Sequence, residues 1–239
     1  MSGAGSTSTS TPTSTPTSGA PIVRVLAADV DRFRGRRAGL VRLLRDTAPD
    51  VALLHRVPTH PLSGHRLGAL ASDVGLVVVA GGRVAHGAAL LTSLRVEPVR
   101  TVTHSGAGGG LVLATVRLTG GQRFRLATVD APGDDAAAAA VAAHLIALLG
   151  EDDQTLPTVV AGPLGGTAAG DTLARRLADL TPGAAPTSPA AEPVRRLLGL
   201  LGVGADAVPL GLPGEPGRRP ALLAKVLPAR PTLVQVTLG

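Results

Sequence analysis

No cysteine, tryptophan or tyrosine occurs anywhere in the 239 residues, and Phe33 and Phe124 are the only aromatic side chains of the Phe, Trp, Tyr type. The absence of cysteine excludes disulfides, thiolate metal sites and cysteine nucleophiles, and it leaves the redox compartment undetermined. Without tryptophan or tyrosine the usual means of stacking bases is gone. Any nucleic acid would be held only through non-specific Arg–phosphate contacts that weaken steeply with salt. Lysine is nearly missing too: Lys225 is the single one, so arginine supplies almost all of the positive charge behind the formal +6. An excess of Ala, Gly, Arg and Pro over Lys is what a GC-rich genome tends to encode, so the charge by itself does not imply a polyanionic partner.

No apolar run approaches the roughly 20 residues that span a bilayer. The opening "MSGAGSTSTSTPTSTPTSGAP" has no apolar stretch of the kind a secretory signal needs. It is uncharged Ser, Thr, Pro and Gly with little to bury, so residues 1–21 read as a disordered tail and residues 22–239 as one domain. The expectation is a soluble, cytoplasmic protein without a membrane partner.

What the chain does have is 44% hydrophobic residues, enough for a core built from Leu, Val and Ala. From Ile22 onward strand-like and helix-like segments alternate. "IVRVLAA" reads as a strand, and "RAGLVRLLRDTAP" places Leu40, Val41, Leu43 and Leu44 on one helical face before Pro49 stops it. "DVALLHRV" is a second strand, "HRLGALASDVG" a second helix and "LVVVAGG" a third strand. "AALLTSL", "RVEPVRTVTH", "GLVLATVRL" and "RFRLATVDA" follow as a run of antiparallel character, with "RLTGGQRF" a hairpin signal. Asp134 or Asp135 then caps a helix with body "AAAAAVAAHLIALL" that Gly150 closes. The strand in "LPTVVAGPLGG", a helix at "GDTLARRLADL", a Pro-rich loop, and strands near "VRRLLGLLGV", "ALLAKVL" and "TLVQVTL" complete the chain. The order predicts an α/β (α+β) four-layer sandwich: two mixed β-sheets packed face to face with helices on the outside.

Several groupings that suggest chemistry have a plainer reading. His55, His60 and His65 recur every five residues, which is neither helical nor strand spacing, and Pro58 and Pro61 between them indicate a loop rather than a zinc site. "GVGADA", Gly202–Ala207, has dinucleotide-fingerprint spacing but no βαβ context, and reads as a turn. "GAGGG", Gly106–Gly110, lacks the Gly-Lys-Ser/Thr of a phosphate loop and reads as a connector. "RFRGRR", Arg32–Arg37, reads as a solvated face ahead of the first helix. No Gly-x-Ser-x-Gly elbow is present.

Taken together, "VRVLAADV", "LVRLLRDTAPDVALLHRV", "LASDVGLVVVAGG", "GAALLTSLRVEPV", "RFRLATVDA", "LPTVVAGPLGG" and "GRRPALLAKV" fall in an order that resembles the metal-dependent endonuclease/exonuclease/phosphatase superfamily, over nearly all of residues 22–227. The resemblance implies the four-layer fold. It also implies a set of catalytic residues, and this chain departs from that set at every position. Where the family's first strand ends in a metal-side Asn, Asp29 stands here. Its Gln-Glu pair, whose Glu holds magnesium, becomes His55 and Arg56. Its phosphate-contacting His after the "LAT" strand becomes Val129, followed by Asp130. Pro163 and Gly165 occupy the Gly-Asp-x-Asn turn, and the closing Ser-Asp-His aligns with Pro216, Gly217 and Arg218. The loose Ile-Asp match meets Leu197 and Leu198. A positive charge about 5 Å from a dication would cost roughly 6–7 kcal/mol at an effective dielectric of about 20.

The leading reading is therefore a catalytically inactive homologue that keeps the fold for binding or scaffolding. It has no catalytic residues and no cofactor, its partner is unidentified, and its vestigial cleft is lined by Asp29, His55, Arg56, Asp130, Pro163, Gly165 and Arg218. A phosphodiester or phosphomonoester hydrolase with a rebuilt centre is the alternative, with Asp29, His55 and Asp130 as metal ligands for Mg or Mn, a set that suits a transition metal better than magnesium. A decaying paralogue without biochemical role is the third.

Overall fold

The computed structural model describes residues 21–34, 37–104, 109–130, 134–151, 155–164, 167–180, 199–210 and 231–238. In chain order, Ile22–Asp29 (β1) leads through Arg37–Thr47 (α1) to Val51–His55 (β2), and Ser63–Val74 (α2) is followed by Val77–Gly81 (β3) and Ala89–Thr92 (β4). Arg95–His104 (β5), Gly109–Arg117 (β6) and Arg123–Asp130 (β7) come next, and Asp135–Glu151 (α3) connects to Thr158–Gly162 (β8). Ala168–Ala174 (α4), Ala178–Asp179 (β9), Gly199–Val203 (β10), Ala205–Leu210 (β11) and Thr232–Leu238 (β12) finish it.

Two six-stranded sheets result, ordered β11-β12-β1-β2-β4-β3 and β5-β6-β7-β8-β10-β9. Each is antiparallel except for one parallel pair, β1 with β2 and β7 with β8. A parallel neighbour cannot be reached by a tight turn, so each pair needs a crossover, and α1 and α3 provide it. Their apolar faces say why they lie where they do. Leu40, Leu43 and Leu44 of α1 join Leu67 and Leu70 of α2 over the outer face of the first sheet. Val141, Ala142 and Leu145 of α3 join Leu173 of α4 over the second. Between the sheets lies a third cluster containing Val25, Leu53, Leu90, Val112, Phe124, Leu126, Val159 and Val234. Strand parity sorts these side chains: Val112, Ala114 and Val116 of β6 face the other sheet, while Leu111 and Leu113 face α3. The expected four-layer sandwich is the observed one.

The differences are local. The helix expected at "GDTLARRLADL" begins earlier and ends sooner, because Thr167 caps it by accepting from the Gly170 N–H (3.1 Å) and Ala178 and Asp179 instead pair with β10. Gly150 does not close α3. The helix runs on to Glu151, and the Arg125 guanidinium takes the Leu149 carbonyl at 3.0 Å, satisfying an end carbonyl that a glycine cap would otherwise serve. Asp134 is the cap at the other end, accepting from the Ala137 N–H at 2.8 Å. β11 was not anticipated: "GVGADA" does turn, at Gly204 with φ +63°, but the turn carries the chain from one sheet to the other and both flanks are strands. The tail up to residue 20, the Pro-rich loop and the strand expected at "ALLAKVL" lie outside the described residues. Pro21 belongs with β1, since its carbonyl accepts from the Leu238 N–H at 3.4 Å. No helix among the described residues is long and apolar enough to cross a membrane.

Candidate functional site

The carboxyl ends of both parallel pairs point to the same end of the sandwich, the place where such sheets present ligand-handling residues. β1 ends at Asp29 directly opposite His55 at the end of β2, β7 ends at Asp130, and β8 ends at Gly162 ahead of Pro163. Asp29 is 2% exposed. Its two carboxylate oxygens accept from Arg56 Nε at 2.7 and 2.9 Å, and Oδ1 also accepts from the Asp31 N–H at 3.1 Å. Arg56 reaches Asp31 as well, 3.6 Å from its Oδ1. Burial works against the charged guanidinium, but the Asp29 hydrogen bonds and the charges of Asp29, Asp31 and Asp130 outweigh it, and its pKa is raised above the usual value.

The backbone around this pair is strained. Asp31, Arg32 and Phe33 have φ of 41°, 56° and 57°, and Arg56 has φ of 53°, all left-handed and none glycine. Each such residue costs about 1–2 kcal/mol. The turn is held by the Arg32 N–H on the Arg56 carbonyl (2.6 Å) and the Val30 N–H on the His55 carbonyl (3.0 Å).

Asp130 sits deep in the cleft. Burial and then the Asp29 charge push its carboxyl up to about 7, against the Arg56 backbone and the charges of Arg56 and Arg32. Its Oδ2 occupies the space where a side chain at residue 87 would start, which explains Gly87, also at φ +99°. His55 is fully buried between the sheets, with Nδ1 3.2 Å from Thr128 Oγ1 and Nε2 without a hydrogen bond. Burial lowers its pKa to about 4, with the Val129 backbone opposing, so the ring is neutral at physiological pH. Pro163 and Leu164 form a packing turn: Leu164 is 4% exposed among α3 and α4, and Thr167 Oγ1 donates to the Pro163 carbonyl at 3.4 Å.

Of the residues singled out from sequence, Asp29, His55, Arg56, Asp130 and Pro163 lie on the strand ends or the turns that directly follow them, while Gly165 and Arg218 lie outside the described residues. Asp31 and Gly87 were missed, because a left-handed non-glycine turn and a close approach have no sequence signature; Arg32, read as part of a solvated face, is exposed, and its charge also acts on Asp130. His60 and His65 are exposed on the loop and on α2, and His60 Nδ1 accepts from the Leu62 N–H at 3.2 Å.

These donors do not suit a divalent metal. Asp29 is committed to Arg56, and His55 is turned into the apolar interior. Among the described residues no three His, Asp or Glu side chains could hold a metal ion.

Solved structures provide the comparison. An endonuclease/exonuclease/phosphatase protein of Bacteroides vulgatus superposes with a TM-score of 0.71 at 15% identity, covering 92% of this chain and 100% of that one. The chain has the endonuclease/exonuclease/phosphatase fold. The human Nocturnin catalytic domain with bound sulfate anion matches at TM-score 0.71 and 14% identity, over 92% of this chain and 96% of the domain. TDP2 of D. rerio complexed with single strand DNA product matches at 0.70 and 12%, over 90% and 99%. No protein-family model and no curated protein sequence matches the chain. Identities this low carry the fold and leave the activity to the residues themselves.

Proposed function

We propose that this chain is a catalytically inactive homologue of the metal-dependent phosphoesterases that has kept the fold for a binding or scaffold role. One observation carries the reading: Arg56 brings a built-in cation to the cleft carboxylates, with Nε 2.7 Å from the buried Asp29. A guanidinium satisfies charge but cannot polarise an ester or activate water as a metal does. Around it the chain offers Pro163 where the resemblance implies an aspartate, and it contains no asparagine at all. A base, a metal and phosphate contacts act as a unit, so losing any one of them costs nearly as much as losing all three, and no single one restores the activity alone.

The competing reading, a hydrolase with a rebuilt centre, draws on the Asp130 carboxyl, whose pKa of about 7 suits a general acid or base. Hydrolysis of a generic phosphodiester and phosphomonoester, with and without magnesium, manganese or zinc, separates the two. The inactive reading expects no turnover in any condition. Metal-dependent turnover that Asp29→Ala or Asp130→Ala abolishes would replace it with the rebuilt centre.

A further inference from the structure

At the opposite end of the sandwich, the register of the second sheet stacks arginines. Arg95 at the start of β5 is directly opposite Arg117 at the end of β6, and Arg117 is directly opposite Arg123 at the start of β7. Directly opposed residues of antiparallel strands project from the same face with Cβ atoms about 5 Å apart, a spacing at which like charges destabilise the pair. Parity assigns that face. Val116 and Phe124 next to the arginines point into the inter-sheet core, so the arginines lie on the outer face that α3 covers nearer the other end. The carboxylate that answers them is Glu97, 3.1 Å from Arg117 Nε and 3.7 Å from an Arg123 amino nitrogen. Arg117 Nε is shielded from solvent yet makes no hydrogen bond. Arg95 is exposed and makes no ion pair or side-chain hydrogen bond among the described residues.

A sheet that places three guanidiniums in a row beside a single carboxylate is short of negative charge at that spot. Arg95 and Arg117 also line a cleft of about 380 Å³ together with Ser93, Leu94, Leu118, Thr119 and Gly121. Two arginines and the hydroxyl-bearing Thr119 beside one hollow are donors of the kind a tetrahedral oxyanion takes up, while the Ser93 hydroxyl is directed at the Asp50 carbonyl at 3.5 Å. We propose that this hollow binds a phosphate group, bridged between Arg95 and Arg117. Seven residue steps of β7, about 23 Å at 3.3 Å each, separate Arg123 from Asp130, so the site is distinct from the cleft and does not depend on how the cleft is read.

The test is thermal unfolding of the full chain in sodium phosphate against sodium chloride at matched ionic strength. Phosphate should raise the midpoint by about 2–4 °C over chloride, the shift that occupancy at a few times Kd gives a chain of this size. Arg95→Gln should abolish the difference. Arg95→Lys, which keeps the charge but loses the fork, should weaken phosphate binding several-fold. Equal midpoints in the two salts would mean that the ladder is merely screened, and an unchanged phosphate effect in Arg95→Gln would place the anion elsewhere; either overturns the proposal. The source of the phosphate is read from a second arm with a short oligothymidylate. Displacement of phosphate by the oligomer, with a salt-dependent affinity that Arg95→Gln reduces, identifies a diester backbone. Phosphate binding that the oligomer leaves untouched identifies a free phosphate or monoester.

Discussion

At the carboxyl ends of β1, β2 and β7, three carboxylates, Asp29, Asp31 and Asp130, gather around the Arg56 guanidinium, whereas at the other end of the same sandwich three arginines, Arg95, Arg117 and Arg123, line up across the strands and the Glu97 carboxylate answers only the last two. The two ends handle a similar imbalance differently because they differ in burial. In the cleft, where Asp29 is almost fully buried, charge is removed: Arg56 pairs with Asp29, Asp130 keeps its proton to about pH 7, and His55 stays neutral. On the outer face the side chains of Arg117 and Arg123 are 41% and 45% exposed, and solvent and mobile ions can carry the excess. A cleft whose charges already answer one another holds less uncompensated negative charge for a further cation. An exposed ladder is open to an anion.

Removing the cation paired with Asp29 has the largest effect. Arg56→Ala leaves Asp29 buried without its partner and should cost about 3 kcal/mol at pH 7, near the low end for a broken buried pair because Arg56 is partly exposed. Urea unfolding measures it. Asp29→Ala added to Arg56→Ala should recover part of the stability, which independent contributions would not allow.

The two other titrating groups of this end oppose each other, and pH sharpens that. Folded His55 takes a proton only below about 4, while an unfolded histidine takes one below about 6.5. Between those values the unfolded chain holds the extra proton, and stability falls as pH drops. Folded Asp130 keeps its proton to about 7, and an unfolded aspartate releases its own above about 3.8. Over the same window the folded chain therefore holds the extra proton, and stability rises as pH drops. The contributions of these two groups nearly cancel from pH 6.5 to 4. Asp130→Asn keeps the neutral form permanently and exposes the His55 slope, a loss of about 1 kcal/mol per pH unit on acidification, measured as unfolding midpoints across that window. An Asp130→Asn curve that runs parallel to wild type would contradict the assignment.

What could be read from sequence at the two ends follows from how each is built. The layers were legible because strand parity and helical stripes are local: "GLVLATVRL" alternates its two faces, and Leu40, Leu43 and Leu44 mark one side of α1. The identities at the cleft were legible too, since Arg56 in place of a glutamate and Pro163 in place of an aspartate are statements about single positions. The pairing of Asp29 with Arg56 was not, because 27 residues separate them and the contact depends on a left-handed turn that nothing in "DVDRFR" announces. The arginine ladder was hidden for a different reason. It rests on cross-strand register, and β5 slips against β6 between Val96 and Val99, so counting along "RVEPVRTVTH" does not tell which arginine meets which. The end of α3 was misread because the group that caps it, Arg125, lies on β7 and not in the helix.

The smallest expected effect lies at the exposed end and has the opposite sign. Arg95 faces Arg117 across the strands with no carboxylate of its own, so Arg95→Gln removes repulsion without breaking an ion pair. In low salt and without phosphate the variant should be more stable than wild type by about 0.5 kcal/mol. Added salt should shrink the difference progressively, since mobile ions weaken the repulsion between exposed charges even where they lie within a Debye length of each other. Arg123→Gln makes the control. It also sheds a positive charge, but it gives up the 3.7 Å approach to Glu97, so it should gain less than Arg95→Gln or nothing. Equal gains in the two variants would mean that net charge governs this end, and that the pairing of Arg95 with Arg117 across the strands has no separate effect.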